Sequence, residues 1–367
     1  MHKTTTILAQ LFLLVFISVP CWAQKTPLKI GTILTLTGQW AAEGAAFREG
    51  IELAIDDINA TEKFQISVVH ENSEFIPQKS VTAFKKLSTQ DVVDVVLFGT
   101  LGETKPNIKS IEQAKIPAIV IWDSTPELDA AGEYTFGIGP WAPASGDYAA
   151  NYAVTKLGLK HFAVFKSASE WPEYVGNFFA ERTKQDANNT IHFYSFLPDQ
   201  SDFRASLTQA KAKGVQAIYF PLDYFLPSFL KQAKQVAPDI TLITSDILSE
   251  NSISESGSAA EGVYVTMMNS PESAAKAAML NKYQLKFGKP CQISQFVGWG
   301  YDSVMLAVEA LSKDSASATA REKIKNGMYQ IKDYNAISGK ISITAGGSWP
   351  QMPKMFRVKD GKIGLVE

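Results

Sequence analysis

The sequence predicts an α/β protein that contains two parallel, doubly wound sheets. Short apolar runs alternate many times with stretches in which apolar residues recur every three or four positions. This alternation is typical of strands and helices that follow each other in a parallel sheet. The number of strand–helix units is accounted for better by two sheets than by one. The length of 367 residues also favours two sheets, because a single core stops growing at about 250–300 residues.

The first strand–helix unit spans residues 28–60. Apolar residues of a strand run from Leu28 to Leu36, and the chain breaks at Thr37-Gly38 into a loop of small residues. A helix is predicted from about Ala45, with one apolar face. The loop between them should lie at the carboxyl edge of the sheet, where α/β proteins bind ligands.

The later elements repeat this alternation along the chain. Predicted strands lie at 64–69, 92–98, 118–122, 161–165, 191–196, 217–220 and 241–243. Predicted helices lie at 78–87, 103–114, 144–157, 174–185, 203–213, 226–236, 274–286 and 296–312. A strand pair is predicted around Phe356, turned by 359–362. The run at 92–98 is continuously apolar, as expected of a strand buried on both faces.

Three segments are candidate crossings between the two sheets. The segment 137–143 is rich in glycine and proline, and further crossings are predicted near 267–271 and 345–347. These crossings divide the chain into one lobe of residues 24–140 plus 270–345 and a second of 141–269 plus 346–367.

Residues 1–23 have the pattern of a cleavable export signal. Lys3 is followed by an apolar run at 7–19 and by a small-x-small cleavage site ending at Ala23. That run is shorter than the roughly 20 residues of a membrane span. The mature protein is therefore predicted to begin at Gln24 in the periplasm. Lipidation of Cys21 is the alternative, and Pro20 fits it poorly.

The composition excludes several classes of partner and chemistry. A formal charge of −2 and the lack of any Lys/Arg cluster argue against nucleic acid. Cys291 would be the only cysteine after cleavage, so no internal disulfide is expected. His70, His161 and His192 stand on separate elements without metal-ligand spacing.

No motif supports an enzyme or a cofactor. Gly137, Gly139 and Ala142 form a G-x-G-x-x-A pattern, but Pro140 and Trp141 interrupt the backbone donors that a dinucleotide needs. A hinge is the favoured interpretation. With no nucleophile–base pair, the sequence predicts a non-enzymatic protein without a cofactor or a metal.

The loops at the predicted carboxyl edges are rich in aromatic and acidic residues. These loops are 37–44, 99–104, 122–126, 166–173, 221–225 and 245–249. They contain Trp40, Trp122, Trp171, Tyr224, Glu43, Asp123, Asp223 and Asp246. Aromatic rings beside carboxylates suit an organic cation. The alternative is that each tryptophan packs on its own helix and each acid caps one, as Asp223, Asp246 and the segment 124–127 could.

The chain resembles the type I periplasmic solute-binding proteins, in the Leu/Ile/Val-binding family of ABC importers. The matching elements are the strand start at 29–31, the loop start at 36–38, Gly44, and the helix end at 54–60. The resemblance covers essentially the whole mature chain. It implies two α/β lobes joined by three hinge crossings, which close as a clamshell on a small molecule.

The resemblance also implies positions for ligand contacts. The family's carboxylate-binding loop corresponds to residues 99–106, with Thr100, Leu101 and Gly102, although Leu101 replaces the expected serine. Ser124 corresponds to a second hydroxyl donor and Trp171 to an aromatic contact. Asp246 corresponds to the acid that binds the ligand ammonium, and Trp299 precedes a helical segment that also looks like the family's.

The lost hydroxyl donor at Leu101, together with the acids Glu43, Asp123 and Asp223, makes the predicted cleft acidic. The ligand is therefore expected to be an amino acid held differently, or an amine or amide without a free carboxylate, unless Lys105 or Lys166 offsets the acids. The predicted function is a monomeric periplasmic component of amino-acid transport that delivers its ligand to an ABC permease. A clamshell subunit that signals to a receptor or regulator is the alternative.

Overall fold

The computed structural model describes residues 25–38, 40–61, 63–197, 199–222, 224–268 and 273–366, and it confirms the α/β fold. The predicted export signal, Cys21, Gln24 and Asp223 lie outside the described residues, as does part of the crossing predicted at 267–271. No described helix is both long and apolar enough to span a membrane.

The first sheet is formed by the amino-terminal third of the chain. Its strands are β1 (Thr26–Leu34), β2 (Phe64–Asn72), β3 (Val95–Phe98), β4 (Ala118–Val120) and β5 (Thr135–Gly137). They pair in the order β2-β1-β3-β4-β5, and every pair is parallel.

The second sheet repeats this order and extends it. Its strands are β6 (His161–Ser167), β7 (Thr190–Phe196), β8 (Ala217–Tyr219), β9 (Thr241–Thr244), β10 (Tyr264–Met267), β13 (Lys354–Lys359) and β14 (Lys362–Leu365). The order is β14-β13-β10-β9-β8-β6-β7, and only the pairs that involve β13 are antiparallel. A separate hairpin joins β11 (Tyr334–Ala336) to β12 (Gly339–Ile341).

Thirteen α-helices are found in the described residues. They are α1 (Ala41–Asn59), α2 (Pro77–Thr89), α3 (Leu101–Thr104), α4 (Ile108–Ala114), α5 (Pro126–Asp129), α6 (Ala142–Thr155), α7 (Glu170–Thr183), α8 (Arg204–Ala212), α9 (Leu226–Val236), α10 (Glu250–Ser256), α11 (Ala274–Phe287), α12 (Ser294–Lys313) and α13 (Ala320–Tyr329).

Each sheet has its own hydrophobic core. The larger part of the first core joins strands β1 and β3 to helices α1 and α12, with Phe47 and Trp299 among its buried side chains. The second core joins β6 and β8 to α7 and α9, with Phe165 and Phe229 among its members. Trp349 still packs in the first core and Val358 in the second, so the last passage between the cores lies between these two residues.

Some predicted boundaries are wrong for local reasons. Helix α1 begins at Ala41 rather than near Ala45. The helix predicted at 103–114 is split into α3, a 3₁₀ turn at Lys105–Asn107 and α4, because Pro106 has no N–H for a continuous helix. Val92 is 59% exposed with a positive φ, so β3 begins only at Val95.

The strand order places a crevice at the same point in both sheets. The chain moves from β1 to β2 on one side and then to β3 on the other, and it repeats this from β6 to β7 and β8. Ligands of open α/β sheets bind outside the carboxyl ends of the strands at such switch points. The two crevices therefore lie after β1 and β3 and after β6 and β8.

Candidate ligand-binding site

A pocket lies where the carboxyl ends of the two sheets face each other. It encloses about 430 Å³ of space, part of it open to solvent. The first sheet supplies residues that follow β1 to β4, and the second supplies residues that follow β6 and β9. The lining residues are Trp40, Phe75, Thr100, Leu101, Gly102, Trp122, Asp123, Ser169, Glu170, Trp171 and Ile247. Residues after both switch points thus share one pocket.

Tryptophan rings form much of the wall. The Trp122 ring meets Trp40 edge-on, with centroids 5.3 Å apart, and also contacts Phe296 at 4.8 Å. Trp171 lies in the first turn of α7, which begins at Glu170, so it is on a helix rather than in a loop. Its side chain is only 9% exposed, and the indole Nε1 has no hydrogen-bond partner among the described residues.

The turn after β3 uses its backbone donors within the protein. Thr100 caps α3, and its own N–H donates to Glu103 Oε2 at 2.9 Å. The Leu101 N–H donates to the carboxylate of Asp123, which comes from the next loop. Asp123 is buried and lines the pocket. An internal carboxylate therefore occupies the backbone donor at the start of this turn.

Glu103 lies behind the pocket in a fully buried polar cluster. Its Oε1 accepts hydrogen bonds from the hydroxyls of Ser73 and Thr35, the latter at 3.0 Å. Burial raises the pKa of Glu103 to about 7, although these hydrogen bonds and those from Thr100 oppose the rise. Glu43 is also buried beside this cluster, and burial raises its pKa.

Polar contacts join residues of the two lobes around the pocket. Trp122 Nε1 donates to Asp246 Oδ2 at 3.2 Å, and the Tyr174 hydroxyl donates to Glu127. Lys105 lies between Glu127 and Glu170, at 3.1 and 3.2 Å. These contacts can form only when the two sheets approach each other, so the structure represents a closed arrangement.

The contacts of this network shift the pKa values of its ionisable groups. The hydrogen bond to Glu127 raises the pKa of Lys105. Burial together with the same carboxylate raises the pKa of Tyr174 to about 12. For Glu127, burial is opposed by the hydrogen bonds from Tyr174 and Lys105, which leave its pKa below the usual range. All three groups therefore keep their usual charge at neutral pH.

The structure brings seven of the residues predicted from the sequence into the pocket: Trp40, Thr100, Leu101, Gly102, Trp122, Asp123 and Trp171. Glu43 lines a smaller space that also borders Trp40, Thr100 and Trp122. Asp246 is 2% exposed and lines a neighbouring cavity, and it contacts the pocket wall at Trp122.

Three further predicted residues do not line this pocket. Ser124 is fully buried at the crossing, where its N–H donates to Pro140 O and its hydroxyl lies against Gly137. Trp299 packs in the first core, with its ring 5.4 Å from Phe296. Tyr224 is half-buried before α9. A role for these residues in ligand binding stays a prediction.

The alternative interpretation of the acids and tryptophans fails for two residues. Helix α10 is capped by Ser249, whose hydroxyl accepts from the Ser252 N–H, so Asp246 is not its cap. Trp122 packs on Trp40 and Phe296 from other elements instead of on its own helix. For the segment 124–127 the alternative is correct, because Thr125 caps α5.

Lys166 contacts Glu173 and Asn177 and is not among the lining residues.

Sequence reasoning did not select four of the lining residues. Ser169 and Glu170 follow β6 after Ala168, inside the loop at 166–173 that the sequence places at the carboxyl edge. Ile247 follows β9 beside Asp246. Phe75 lies in a turn with positive φ, and no sequence signal distinguishes it from an exposed turn residue.

Residues 27–362 match the family model described as periplasmic binding protein. The chain belongs to the periplasmic binding protein family. A "Leu/Ile/Val-binding protein homolog 3" of Brucella melitensis is 24% identical over 204 residues, a match that spans 54% of this chain and about half the length of that relative (55%). The "Leucine-, isoleucine-, valine-, threonine-, and alanine-binding protein" of Pseudomonas aeruginosa is 24% identical over 87% of this chain and 86% of its own.

Solved structures with the same fold bind different compounds. LivJ of Streptococcus pneumoniae, described in complex with isoleucine, is 26% identical with a TM-score of 0.81, covering 92% of this chain and 98% of its own. A solute-binding protein of Rhodopseudomonas palustris in complex with 3,4-dihydroxybenzoic acid is 23% identical with a TM-score of 0.80, covering 92% and 95%. The resemblance to type I periplasmic binding proteins, and with it the clamshell fold, is confirmed.

The family membership defines the general class of activity. The protein is a periplasmic binding protein of the ABC-transporter type, with Leu/Ile/Val-binding relatives. These relatives are solute-binding proteins, which points to binding rather than catalysis. Their ligands range from an aliphatic amino acid to an aromatic acid, so family membership alone leaves the ligand class open.

Proposed function

We propose that this protein is the solute-binding component of an ABC importer that captures an amino acid, or a related small amine or amide, between two lobes. The observation that carries the proposal is the pocket shared by the carboxyl ends of both sheets, where Trp40 and Asp123 face Ser169 and Trp171. A ligand held there contacts both lobes at once. Since those contacts exist together only in the closed form, the ligand shifts the population toward it.

The proposed lobes comprise residues 24–140 plus 270–345 and residues 141–269 plus 346–367. The pairing of two crossing segments supports a hinge between them. Gly137 donates to Gly347 O at 3.1 Å and accepts from the Trp349 N–H at 3.0 Å. Gly139 lies so close to the Trp122 backbone that a Cβ there would collide with it. The hinge therefore adjoins a residue of the ligand pocket.

The proposed ligand contacts are the lining residues together with Asp246. Asp246 is assigned to a cationic nitrogen, because it lies at the carboxyl edge of β9 and contacts Trp122 of the pocket wall. The further proposals are export through a signal cleaved after Ala23, residence in the periplasm as a monomer, and delivery of the ligand to a membrane permease. Membership of the family supports them.

A thermal-shift screen of the protein from Gln24 onward tests this function. The panel contains amino acids, amines and amides, and a true ligand at about 100 times its Kd should add about 2.7 kcal/mol to the free energy of unfolding. Small-angle scattering should then show a more compact particle with the ligand recovered unchanged. Chemical turnover of the bound compound, or a panel without any binder, would contradict the proposal.

A further inference from the structure

The pocket lining is acidic and aromatic, and none of its described residues is basic. Asp123 and Glu170 supply carboxylates from opposite lobes, and three tryptophans supply ring faces and edges. Rings beside carboxylates attract organic cations through charge and cation–π interactions. The same lining disfavours an anionic group, because like charges brought together in a closed site repel strongly.

Two backbone donors that could have received a ligand carboxylate are already used. The Thr100 and Leu101 N–H groups, at the turn after β3, are bonded to Glu103 and Asp123. A carboxylate on the ligand would have to displace the Asp123 carboxylate from the Leu101 N–H and leave both charges in the pocket. The protein thus satisfies this donor with an acid of its own.

Lys105 contacts the lining residue Glu170, but it is shared with a second acid. Lys105 lies 3.1 Å from Glu127 and 3.2 Å from Glu170. One cation shared by two carboxylates leaves the local charge negative, and Asp123 adds to it. Lys105 would have to leave both partners to bind an anionic ligand.

Two buried polar atoms of the lining residues show what else the ligand must offer. Trp171 Nε1, a donor, and Glu170 Oε2, an acceptor, have no hydrogen-bond partner among the described residues. A buried polar group without a partner costs about 1–3 kcal/mol. A ligand with one acceptor and one donor would satisfy both atoms.

We propose that the ligand is a small organic cation that carries a neutral oxygen acceptor and no free carboxylate, such as an amino-acid amide or an amino alcohol. This inference rests on the proposed function. The ammonium group lies among the carboxylates of Asp123, Glu170 and Asp246. The neutral oxygen accepts from Trp171 Nε1, and the apolar part contacts Leu101 and Ile247. The ligand class differs from isoleucine and 3,4-dihydroxybenzoic acid, which both have a carboxyl group.

Matched compounds test the inference by titration calorimetry on the protein from Gln24 onward. Leucine is compared with leucinamide, phenylalanine with phenylalaninamide, and leucinamide with 4-methylpentanamide, which lacks the ammonium group. Each amino-acid amide is expected to bind at least tenfold more tightly than its acid, and leucinamide at least tenfold more tightly than 4-methylpentanamide. An acid that binds as tightly as its amide overturns the inference and leaves the proposed function in place. A wider panel of amino acids, amines and amides without any binder overturns both.

Asp123→Asn examines the origin of the preference. Asparagine can still accept from the Leu101 N–H, so the turn is kept while the charge is removed, and the amide-to-acid affinity ratio should fall at least fivefold. Asp147→Asn is the matched control, because Asp147 lies on α6 outside the pocket lining and pairs with Arg182. If Asp123→Asn does not fold, Glu170→Gln replaces it with the same expectation. A ratio equal to that of the wild type in the folded variant contradicts the inference.

Discussion

The Tyr174 hydroxyl provides a direct test of closure, because it bonds residues of opposite lobes. Tyr174 on α7 donates to Glu127 on α5, while its ring packs against an apolar cluster of Leu101, Val120 and Leu128. Tyr174→Phe removes the hydroxyl and keeps the ring contact. The change should destabilise the closed form without affecting either core, so ligand affinity should fall while each lobe remains folded.

The expected magnitude follows from the charge and exposure of the pair. A hydrogen bond to a charged group contributes about 1.5–3 kcal/mol. Tyr174 is half-buried and water can replace part of the bond in the open form, so a loss at the lower end, about 1.5 kcal/mol, is expected. We expect the open form to predominate in solution without ligand. The whole loss should then appear in the affinity, as about a tenfold rise in Kd.

Tyr283→Phe is the matched control for this measurement. Tyr283 also donates to a glutamate that a lysine neutralises, since Glu49 accepts from Tyr283 at 2.7 Å and from Lys289 at 2.7 Å. Both partners belong to helices of the first lobe, so this variant should lower the free energy of unfolding and leave Kd unchanged. Calorimetric titration with the strongest binder of the panel measures both variants. A Kd for Tyr174→Phe within twofold of the wild type would refute a closure role.

The remaining predictions concern single side chains around the pocket. Asp246→Asn should raise Kd by tens-fold, since losing one member of a buried ion pair costs about 2–5 kcal/mol; asparagine still accepts from Trp122 Nε1, so a titration within threefold of wild type would limit Asp246 to that contact. Trp171→Phe should raise Kd by about three- to tenfold by removing the indole donor, while the protein remains folded. Glu103 has a raised pKa in the fold, so its contribution to stability is complete below about pH 4.5 and is lost as the pH rises through about 7. Over this pH range, the free energy of unfolding measured with urea should therefore fall by about 3 kcal/mol more in the wild type than in Glu103→Gln. Equal declines in both proteins would contradict the assignment.

The sequence predicted the parts of the fold that depend on local periodicity. Helix α9 was predicted with its observed bounds, and the closing strand pair β13–β14 was found where the turn at 359–362 required it. Carboxyl-edge loops could be located for the same reason, since a loop after a buried strand must emerge at one edge. Seven pocket residues follow from that rule and from the family resemblance combined.

Local sequence patterns did not predict the direction in which individual side chains point. Ser124 and Asp123 are neighbours after β4, yet one side chain is buried against Gly137 and the other lines the pocket. Trp299 and Trp171 are both tryptophans on helices, and only the second faces the pocket, because α12 packs along α1 in the first core. These differences depend on which elements pack together, and a single strand or helix does not encode them.

The contact between Trp122 and Asp246 shows why the charge of the site needed the structure. The two residues are 124 positions apart and come from different lobes, so no sequence pattern connects them. In the sequence each acid counts equally toward a negative cleft. In the fold, Asp123 accepts a backbone N–H, Glu170 shares Lys105 with Glu127, and Asp246 accepts from an indole. These contacts hold the three acids in place around the pocket. The cationic ligand proposed above would lie among them when the lobes close.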